Sequence, residues 1–219
     1  VWQQDVAAIG LNFWRTSKRF VSPEQAGLIT REVQRVHHNS LVEFVGVFVN
    51  SSLDEVSSTV REAQLSAVQF HGDESITMIS DFHRLMPEVR IIRALRVCEQ
   101  NFEKTVQSFR ELCLAVPIAA CLLDAYSPSH FGGTGQTINI DLPRSYLTDK
   151  SLPRLILAGG LTPENIGSIL AEVRPWGIDV ASGVESSPGI KDPDKVRRLL
   201  VNCAAATKAA SSVEQSLRL

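Results

Sequence analysis

The sequence predicts an α/β fold of repeated strand–helix units, and three observations predict it. Short β-rich apolar runs recur along the 219 residues, the gaps between them are long enough for a crossover helix, and several helix starts carry capping residues. Several runs are continuously apolar, which favours parallel strands covered on both faces, and parallel pairing requires such crossovers. No linker or low-complexity segment divides the chain, so we expect a single domain over residues 1–219.

Seven apolar runs are predicted to be strands, at residues 7–13, 42–50, 67–72, 90–97, 119–125, 154–161 and 177–184. A closed (β/α)8 barrel needs eight strands. The opening VWQQDVAAIG looks like the end of a helix running straight into a strand, as if a strand and most of a helix preceded Val1. An open doubly wound sheet needs no such missing piece, so the pattern alone leaves both architectures open.

Three helix starts are well marked. Ser22 is predicted to cap a helix that begins at Pro23, with Gln25 completing a capping box. Thr162 begins a similar Thr-Pro-Glu-Asn segment directly after the sixth run, and Pro193 and Asp194 open a last helix before the Ala/Ser-rich tail. Each start follows a predicted strand, as a βα repeat requires.

Composition and charge exclude several classes of function. With 22 Lys+Arg against 24 Asp+Glu, the net charge of −2 gives no electrostatic case for binding nucleic acid or an anionic membrane. No apolar run approaches the roughly 18 residues that a membrane span needs, and the first residues lack a signal-peptide pattern. The cysteines are too widely spaced for a disulfide or zinc framework, so we expect buried or half-buried thiols and a cytoplasmic protein; they are Cys98, Cys113, Cys121 and Cys203.

Two pairs of small residues late in the chain predict an anion site. Gly159-Gly160 ends the sixth run, and Ser182-Gly183 ends the seventh. Small residues let backbone N–H groups approach an anion, and the loops after the last two strands of a βα barrel often bind phosphate. The same glycines would also suit tight turns without any ligand.

Three polar residues at or near the ends of runs are candidates for chemistry. Asp124 ends the apolar run CLLD, where partial burial would raise its pKa and suit it to general acid catalysis. His71 follows the third run and could donate to a substrate, and the Arg19 guanidinium could bind a carboxylate. Each also has an ordinary structural interpretation: a helix cap or ion pair for Asp124, a satisfied polar side chain for His71, and a surface arginine for Arg19.

Taken together, six segments resemble the phosphoribosylanthranilate isomerase family, which acts in tryptophan biosynthesis. They are SKRFVSPEQA (17–26), VGVFVN (45–50), AVQFHGDE (67–74), LLDAYSPSHFGGTGQT (122–137), LAGGLTPENI (157–166) and DVASGVESSPGIKD (179–192). They follow the family's order at compatible spacing and span nearly the whole chain. The resemblance implies a (β/α)8 TIM barrel of which strands two to eight are visible here, with the first strand apparently missing from this chain.

The reaction implied by the resemblance is the Amadori rearrangement of N-(5-phosphoribosyl)anthranilate to 1-(2-carboxyphenylamino)-1-deoxyribulose 5-phosphate, without cofactor or metal. By match to the family's motifs, Asp124 is the implied general acid that opens the ribose ring, and Arg19 is the implied contact of the anthranilate carboxylate. The implied substrate-side residues are His71, Gly133 and Asp179. The implied phosphate site is Gly159, Gly160, Ser182 and Gly183, and residues 132–135 are the loop expected to close over the substrate.

The sequence departs from the family at two places. The family's first strand carries a Lys-Ile-Cys-Gly-type motif whose Cys is the general base, and this motif is absent here. Cys121 lies three residues before Asp124 and should face away from the site on a regular strand. Cys98, just past a strand end, is the one remote stand-in. Residues 138–140, Ile-Asn-Ile, replace the family's usual Phe-Asp-Trp, with an expected effect on packing around the loop or on its role in binding.

Two explanations of the missing base stay open. The favoured one is an N-terminally incomplete record of an ordinary enzyme, because a barrel without its first strand exposes two sheet edges. The alternative is a catalytically impaired, phosphate-ligand-binding barrel (a pseudoenzyme), since loss of a general base costs roughly 10²–10⁴-fold in rate. The related histidine-pathway aminoaldose–ketose isomerase ranks lower, because the first half of the chain lacks a glycine pair matching Gly159-Gly160. Fusion or association with indole-glycerol-phosphate synthase is compatible with the sequence.

Overall fold

The computed structural model describes residues 6–36, 42–124 and 139–216, which alternate between strands and helices. Seven strands form one sheet in chain order: β1 (Ala8–Asn12), β2 (Glu43–Phe48), β3 (Ala67–Phe70), β4 (Arg90–Arg96), β5 (Ala120–Asp124), β6 (Arg154–Ala158) and β7 (Gly177–Ile178). The strands β8 (Glu185–Ser187) and β9 (Ile190–Lys191) form a separate antiparallel pair.

The helices follow the strands as the pattern predicts. They are α1 (Pro23–Val36), α2 (Leu53–Ala63), α3 (Ile76–Leu85), α4 (Phe102–Ala115), α5 (Asp141–Thr148), α6 (Ile166–Val173) and α7 (Pro193–Ser216). None of the helices in the described ranges combines the length and the hydropathy that crossing a bilayer requires. The prediction of seven strands with helical crossovers is confirmed for this part of the chain.

The chain divides into two compact units. Unit 1 comprises Val1–Ala94 and Gln107–Cys121, and unit 2 comprises Leu95–Val106 and Leu122–Leu219. The division cuts across secondary structure, because β4 and β5 each begin in unit 1 and end in unit 2.

Unit 1 is built on parallel pairing of β1 with β2, β2 with β3 and β3 with β4. Its helix starts follow the capping rules. Ser22 Oγ accepts from the Gln25 N–H at 3.2 Å while Gln25 Oε1 accepts from the Ser22 N–H at 3.1 Å, which confirms the predicted capping box. The core contains fully buried aromatic rings, with Phe70 and Phe82 edge to face at 5.5 Å between centroids.

Unit 2 pairs β6 with β7 in parallel and buries the leucines of β5 and β6. Thr162 and Asn165 exchange the predicted cap hydrogen bonds, yet the regular helix α6 begins only at Ile166 because residues 163–165 form a turn. The seventh predicted run is shorter than expected: strand pairing covers only Gly177–Ile178, and Ser182–Val184 forms a 3-10 helix.

Candidate active site

The Asp124 carboxyl lies at the end of β5, where four buried residues lead to a half-buried one. Its Oδ1 atom is buried and has no hydrogen-bond partner among the described residues. The backbone carbonyl of Asp124 accepts from the Val97 N–H at 3.2 Å, which fixes the end of β5 against the segment that follows β4. A buried carboxyl oxygen without a partner costs folding free energy, which is typical of a group kept for function.

Electrostatics favour a protonated Asp124. Burial raises the pKa of this carboxyl, the charge of Asp179 raises it further, and the Arg96 guanidinium opposes both. The net direction is upward, so the group keeps its proton to higher pH than an ordinary aspartate. A carboxylic acid in this state can donate a proton to a substrate oxygen.

Asp179 follows β7, and its backbone N–H donates to the Leu157 carbonyl at 2.9 Å. The residue keeps access to solvent, but the protein atoms crowded around it raise the pKa of its carboxyl. The Lys191 ammonium and the Val180 backbone N–H lower it. Asp124 and Asp179 are thus close enough to interact electrostatically, as the prediction that both serve one site requires.

Two cations beside this carboxylate pair were missed by the sequence reasoning. Arg96 is exposed at the end of β4, and Lys191 lies on β9, where its Nζ donates to the Ala181 carbonyl at 2.8 Å and to Glu185 Oε1 at 3.4 Å. A signal for Arg96 was present, because it lies one residue before the end of the predicted strand 90–97, as Asp124 does in the predicted strand 119–125. Lys191 had no comparable signal, since it lies on a short hairpin rather than at a strand end of the main sheet.

The glycines of the predicted phosphate site hold two turns in close contact. Gly159 and Gly160 adopt φ values of 90° and 60°, which L residues with side chains rarely adopt. A Cβ atom on Gly183 would stand 1.8 Å from the Leu161 carbonyl oxygen, so the 3-10 turn can approach the β6 turn only through a glycine. Ser182 begins that 3-10 helix. The structure therefore brings the Gly159-Gly160 and Ser182-Gly183 turns together within unit 2.

Arg19 lies in unit 1, in the loop between β1 and α1. It is half-buried, and its backbone N–H donates to Ser17 Oγ at 3.1 Å. The loop folds back on the end of β1, because Phe20 bridges to Asn12 and the Val21 N–H donates to the Asn12 carbonyl at 2.9 Å. A half-buried guanidinium on a fixed loop after a strand is well suited to bind a carboxylate.

His71 also lies in unit 1, directly after β3. Its Nδ1 lies 2.8 Å from Gln69 Nε2, and its backbone N–H donates to the Phe48 carbonyl at 2.9 Å. An amide nitrogen donates and cannot accept, so the contact with Gln69 Nε2 corresponds to the tautomer with Nδ1 as the acceptor and the proton on Nε2. In this tautomer the Nε2–H is the donor of the ring, and its contact with a substrate stays a prediction.

The predicted loop at 132–135, with the predicted substrate-side Gly133, lies outside the described residues. Ile138, the first of the three residues that depart from the family pattern at 138–140, also lies outside the described residues, and Asn139 makes two side-chain hydrogen bonds. Its Oδ1 accepts from the Asp141 N–H at 3.0 Å at the start of α5, and its Nδ2 donates to Glu99 Oε1 at 2.8 Å. Asn139 therefore ties the start of α5 to the segment after β4.

The cysteines have the predicted burial. Cys121 is fully buried, Cys98, Cys113 and Cys203 are half-buried, and none of the four is in a disulfide. Burial raises the pKa of the Cys113 thiol to about 11, so this thiol stays protonated at neutral pH and supplies no thiolate to act as a base. Within residues 6–36, 42–124 and 139–216, no three His, Cys, Asp or Glu side chains are grouped as metal ligands would be.

Comparison with known proteins shows the family. The family model for N-(5'-phosphoribosyl)anthranilate (PRA) isomerase matches residues 1–202. An N-(5'-phosphoribosyl)anthranilate isomerase of Trichlorobacter lovleyi is 39% identical over 199 residues, covering 91% of this chain and 88% of that protein.

Solved structures agree in fold. The phosphoribosyl anthranilate isomerase of Thermotoga maritima has a TM-score of 0.76 and 34% identity, over 91% of this chain and 88% of its own. A phosphoribosyl anthranilate isomerase in complex with reduced 1-(o-carboxyphenylamino)-1-deoxyribulose 5-phosphate has a TM-score of 0.74 and 31% identity, with the same coverage. The predicted TIM-barrel fold class is thereby confirmed, and the chain belongs to the N-(5'-phosphoribosyl)anthranilate isomerase family.

Proposed function

We propose that this chain catalyses the Amadori rearrangement of N-(5-phosphoribosyl)anthranilate in tryptophan biosynthesis, with Asp124 as the general acid. The observation that carries the proposal is the state of Asp124, whose pKa is raised and whose buried Oδ1 has no hydrogen-bond partner in the described part of the chain. The reaction class is that of the family to which the chain belongs.

The first step uses the proton of Asp124. The carboxyl transfers this proton to the ribose ring oxygen, the bond from C1 to that oxygen breaks with its electron pair moving to the oxygen, and the anilino nitrogen lone pair forms an iminium at C1. Removal of the C2 proton by a base then gives the enolamine, which tautomerises to the ketose product. The base is not assigned to any residue of this sequence.

The substrate has two anionic ends, a phosphate and a carboxylate, and five of the remaining predicted residues are assigned to them. We assign the phosphate to the turns at Gly159-Gly160 and Ser182-Gly183, and the anthranilate carboxylate to Arg19. His71, Asp179 and Gly133 are assigned to substrate binding without a named contact. In support, the analogue bound by the solved relative carries both a carboxyphenyl group and a phosphate, as its name states.

The test is turnover of N-(5-phosphoribosyl)anthranilate by the 219-residue chain, followed by the fall in substrate fluorescence, together with binding of the reduced product analogue by calorimetry. Asp124→Asn should lose about 10²–10⁴-fold in turnover, because Asn cannot donate the acid proton, while analogue affinity changes little. Asp141→Asn, an exposed aspartate whose side chain is 84% accessible, is the control and should keep the wild-type rate.

Full turnover by Asp124→Asn would remove Asp124 as the acid. Absence of turnover by the wild-type chain, with tight binding of the analogue, would favour the pseudoenzyme alternative. Absence of both would contradict the assignment of the binding site. A substrate with phosphates at both ends, turned over in preference, would favour the histidine-pathway reaction instead.

We also propose a cytoplasmic location, supported by four widely spaced cysteines that form no disulfide. Association with indole-glycerol-phosphate synthase stays a prediction. Its test is co-elution of the two proteins in size-exclusion chromatography, and independent elution of the two would contradict it.

A further inference from the structure

Unit 1 contains a buried ion pair, Arg93 with Glu74, to which the proposed reaction assigns no role. Arg93 on β4 and Glu74 after β3 lie 2.6 Å apart, with side chains only 14% and 2% exposed. Removing two charges from water is costly, and a pair of apolar residues would usually fill such a place at no loss of stability. Stability alone therefore does not explain why this ion pair is present. The hydrogen bonds that Glu74 and Arg93 make to neighbouring backbone groups indicate another role.

Glu74 holds two loops together through their backbone. One carboxylate oxygen accepts from the Asn50 N–H at 2.9 Å, and both oxygens accept from the Gly72 N–H at 3.1 Å. Asn50 follows β2 and adopts a φ of 53°, a left-handed conformation that needs local support in a residue other than glycine. Asn50 in turn accepts from the Asp73 N–H through Oδ1 at 2.7 Å.

Arg93 holds the same segment from the other side. Its guanidinium donates to the Phe70 carbonyl at 3.3 Å and to the Gly72 carbonyl at 3.0 Å, besides Glu74. Phe70 and Gly72 are the two neighbours of His71 in the chain. The guanidinium thus binds the carbonyl of the peptide group before His71 and the carbonyl of the peptide group after Gly72, and its fixed fork of donors restricts the orientation of both. The peptide group between His71 and Gly72 is held by Glu74 through the Gly72 N–H.

The close approach of the Asn50 loop leaves no room for a side chain at position 72. A Cβ atom at this position would lie 2.4 Å from Asn50 Oδ1 and 2.8 Å from the Asn50 backbone nitrogen. The loops after β2 and β3 therefore meet at a glycine, and the buried pair lies at that contact.

We propose that Arg93 and Glu74 are positioning residues that fix His71 for contact with the substrate. This inference rests on the proposed function, because it presupposes that His71 binds substrate. Arg93 and Glu74 themselves do not touch the substrate in this proposal; they act by holding the backbone on either side of His71 and the Asn50 loop beside it.

The experiment is a thermodynamic cycle measured by calorimetry with reduced 1-(o-carboxyphenylamino)-1-deoxyribulose 5-phosphate as the probe. Removing one member would leave a buried unpaired charge and threaten folding, so both are replaced together in Glu74→Gln/Arg93→Met. The double replacement is made in the wild-type background and in His71→Ala. Thermal denaturation of each variant checks that it is folded.

We expect the double replacement to weaken binding about tenfold in the wild-type background, within the range of coupling found inside one hydrogen-bond network. In the His71→Ala background the same replacement should change the dissociation constant little, because the residue it positions is gone. A merely structural role would weaken binding by the same factor in both backgrounds.

The matched control is Glu43→Gln/Arg90→Met. This pair joins β2 and β4 at their amino ends, with side chains 40% and 49% exposed, and its replacement should leave analogue binding unchanged in both backgrounds. Wild-type affinity in Glu74→Gln/Arg93→Met, or equal losses with and without His71, would overturn the positioning role. Failure of the unaltered chain to bind the analogue would instead overturn the proposed function, and the positioning role with it.

Discussion

Among single residues, Asp124 has a raised pKa that suits it to act as an acid and that also lowers the stability of the folded state. Its pKa is raised above the ordinary 3.8, so the folded state disfavours the charged form relative to the unfolded state. Below pH 3.8 the carboxyl is protonated in both states and the penalty is absent. The penalty grows as pH rises through the raised pKa and is complete above it.

Asp124→Asn should therefore raise the melting temperature at neutral pH, by an amount that corresponds to about 1 kcal/mol of unfolding free energy. The gain should disappear toward pH 3.8, where the wild-type group is neutral as well. Thermal denaturation between pH 4 and 8, in steps of about one unit, checks this. Asp141→Asn is the contrasting control, since an exposed carboxylate at a helix start is favourable and its loss should not stabilise. A gain that is independent of pH would contradict the explanation.

Gly183 is the second residue with a sharp structural requirement. Gly183→Ala places a Cβ 1.8 Å from the Leu161 carbonyl oxygen, so the two turns must move apart. We expect destabilisation of about 1–3 kcal/mol and a clear loss of affinity for the reduced product analogue. Gly167→Ala is the matched control, because nothing lies within 4 Å of its Cβ and the position is inside a helix. It should be neutral or stabilising by up to about 1 kcal/mol. Equal effects of the two substitutions would contradict the close contact.

Among the elements, α2 shows how local sequence defines a helix start. Ser52 Oγ accepts from the Glu55 N–H at 3.2 Å, and the Glu55 carboxylate accepts from the Ser52 N–H at 3.0 Å. This capping box satisfies backbone donors that have no partner inside the helix. The reciprocal contact at Ser22 and Gln25 does the same for α1.

Ser52→Ala should cost about 1 kcal/mol of unfolding free energy, because it removes the acceptor for the Glu55 N–H. Urea denaturation measures the change. Ser58→Ala on the same helix is the control. Ser58 is exposed, and its hydroxyl donates to the Glu55 carbonyl within the helix rather than capping its start. Alanine should therefore be neutral or slightly stabilising at this position. A loss at Ser58 equal to that at Ser52 would show that general helix packing, rather than the cap, is responsible.

At the scale of the whole molecule, the expectation of a single domain can be tested by asking whether the two units unfold cooperatively. β4 and β5 each begin in unit 1 and end in unit 2, so unfolding one unit would disrupt strands that the other unit needs. We therefore expect both units to unfold in one transition, with the same midpoint in urea.

The tryptophans allow each unit to be followed separately. Trp14 lies in unit 1 and Trp176 in unit 2, where Trp176 packs under the Arg154 guanidinium. Fluorescence of Trp176→Phe reports on unit 1, and that of Trp2→Phe/Trp14→Phe reports on unit 2. Two different midpoints would show that the units are independently stable and would contradict the single-domain expectation.

Local pattern was enough for much of this fold and for identifying the candidate polar residues at strand ends. Apolar runs and caps depend on residues that are close in sequence, so the strands, the start of α1 and the position of Asp124 at a strand end could be predicted. Even there, the length of a strand depended on pairing with its neighbour. The run predicted at 177–184 pairs over only Gly177–Ile178, and Ser182–Val184 forms a 3-10 helix.

Contacts between distant residues could not be predicted in this way. Glu74 and Arg93 are 19 positions apart, and Gly183 meets Leu161 only because two turns approach each other. The raised pKa of Asp124 depends on burial and on Asp179, 55 positions later by their numbering (179 − 124). Sequence pattern identifies which groups are present at strand ends, whereas their charge state and orientation depend on neighbours that folding alone brings within a few ångströms.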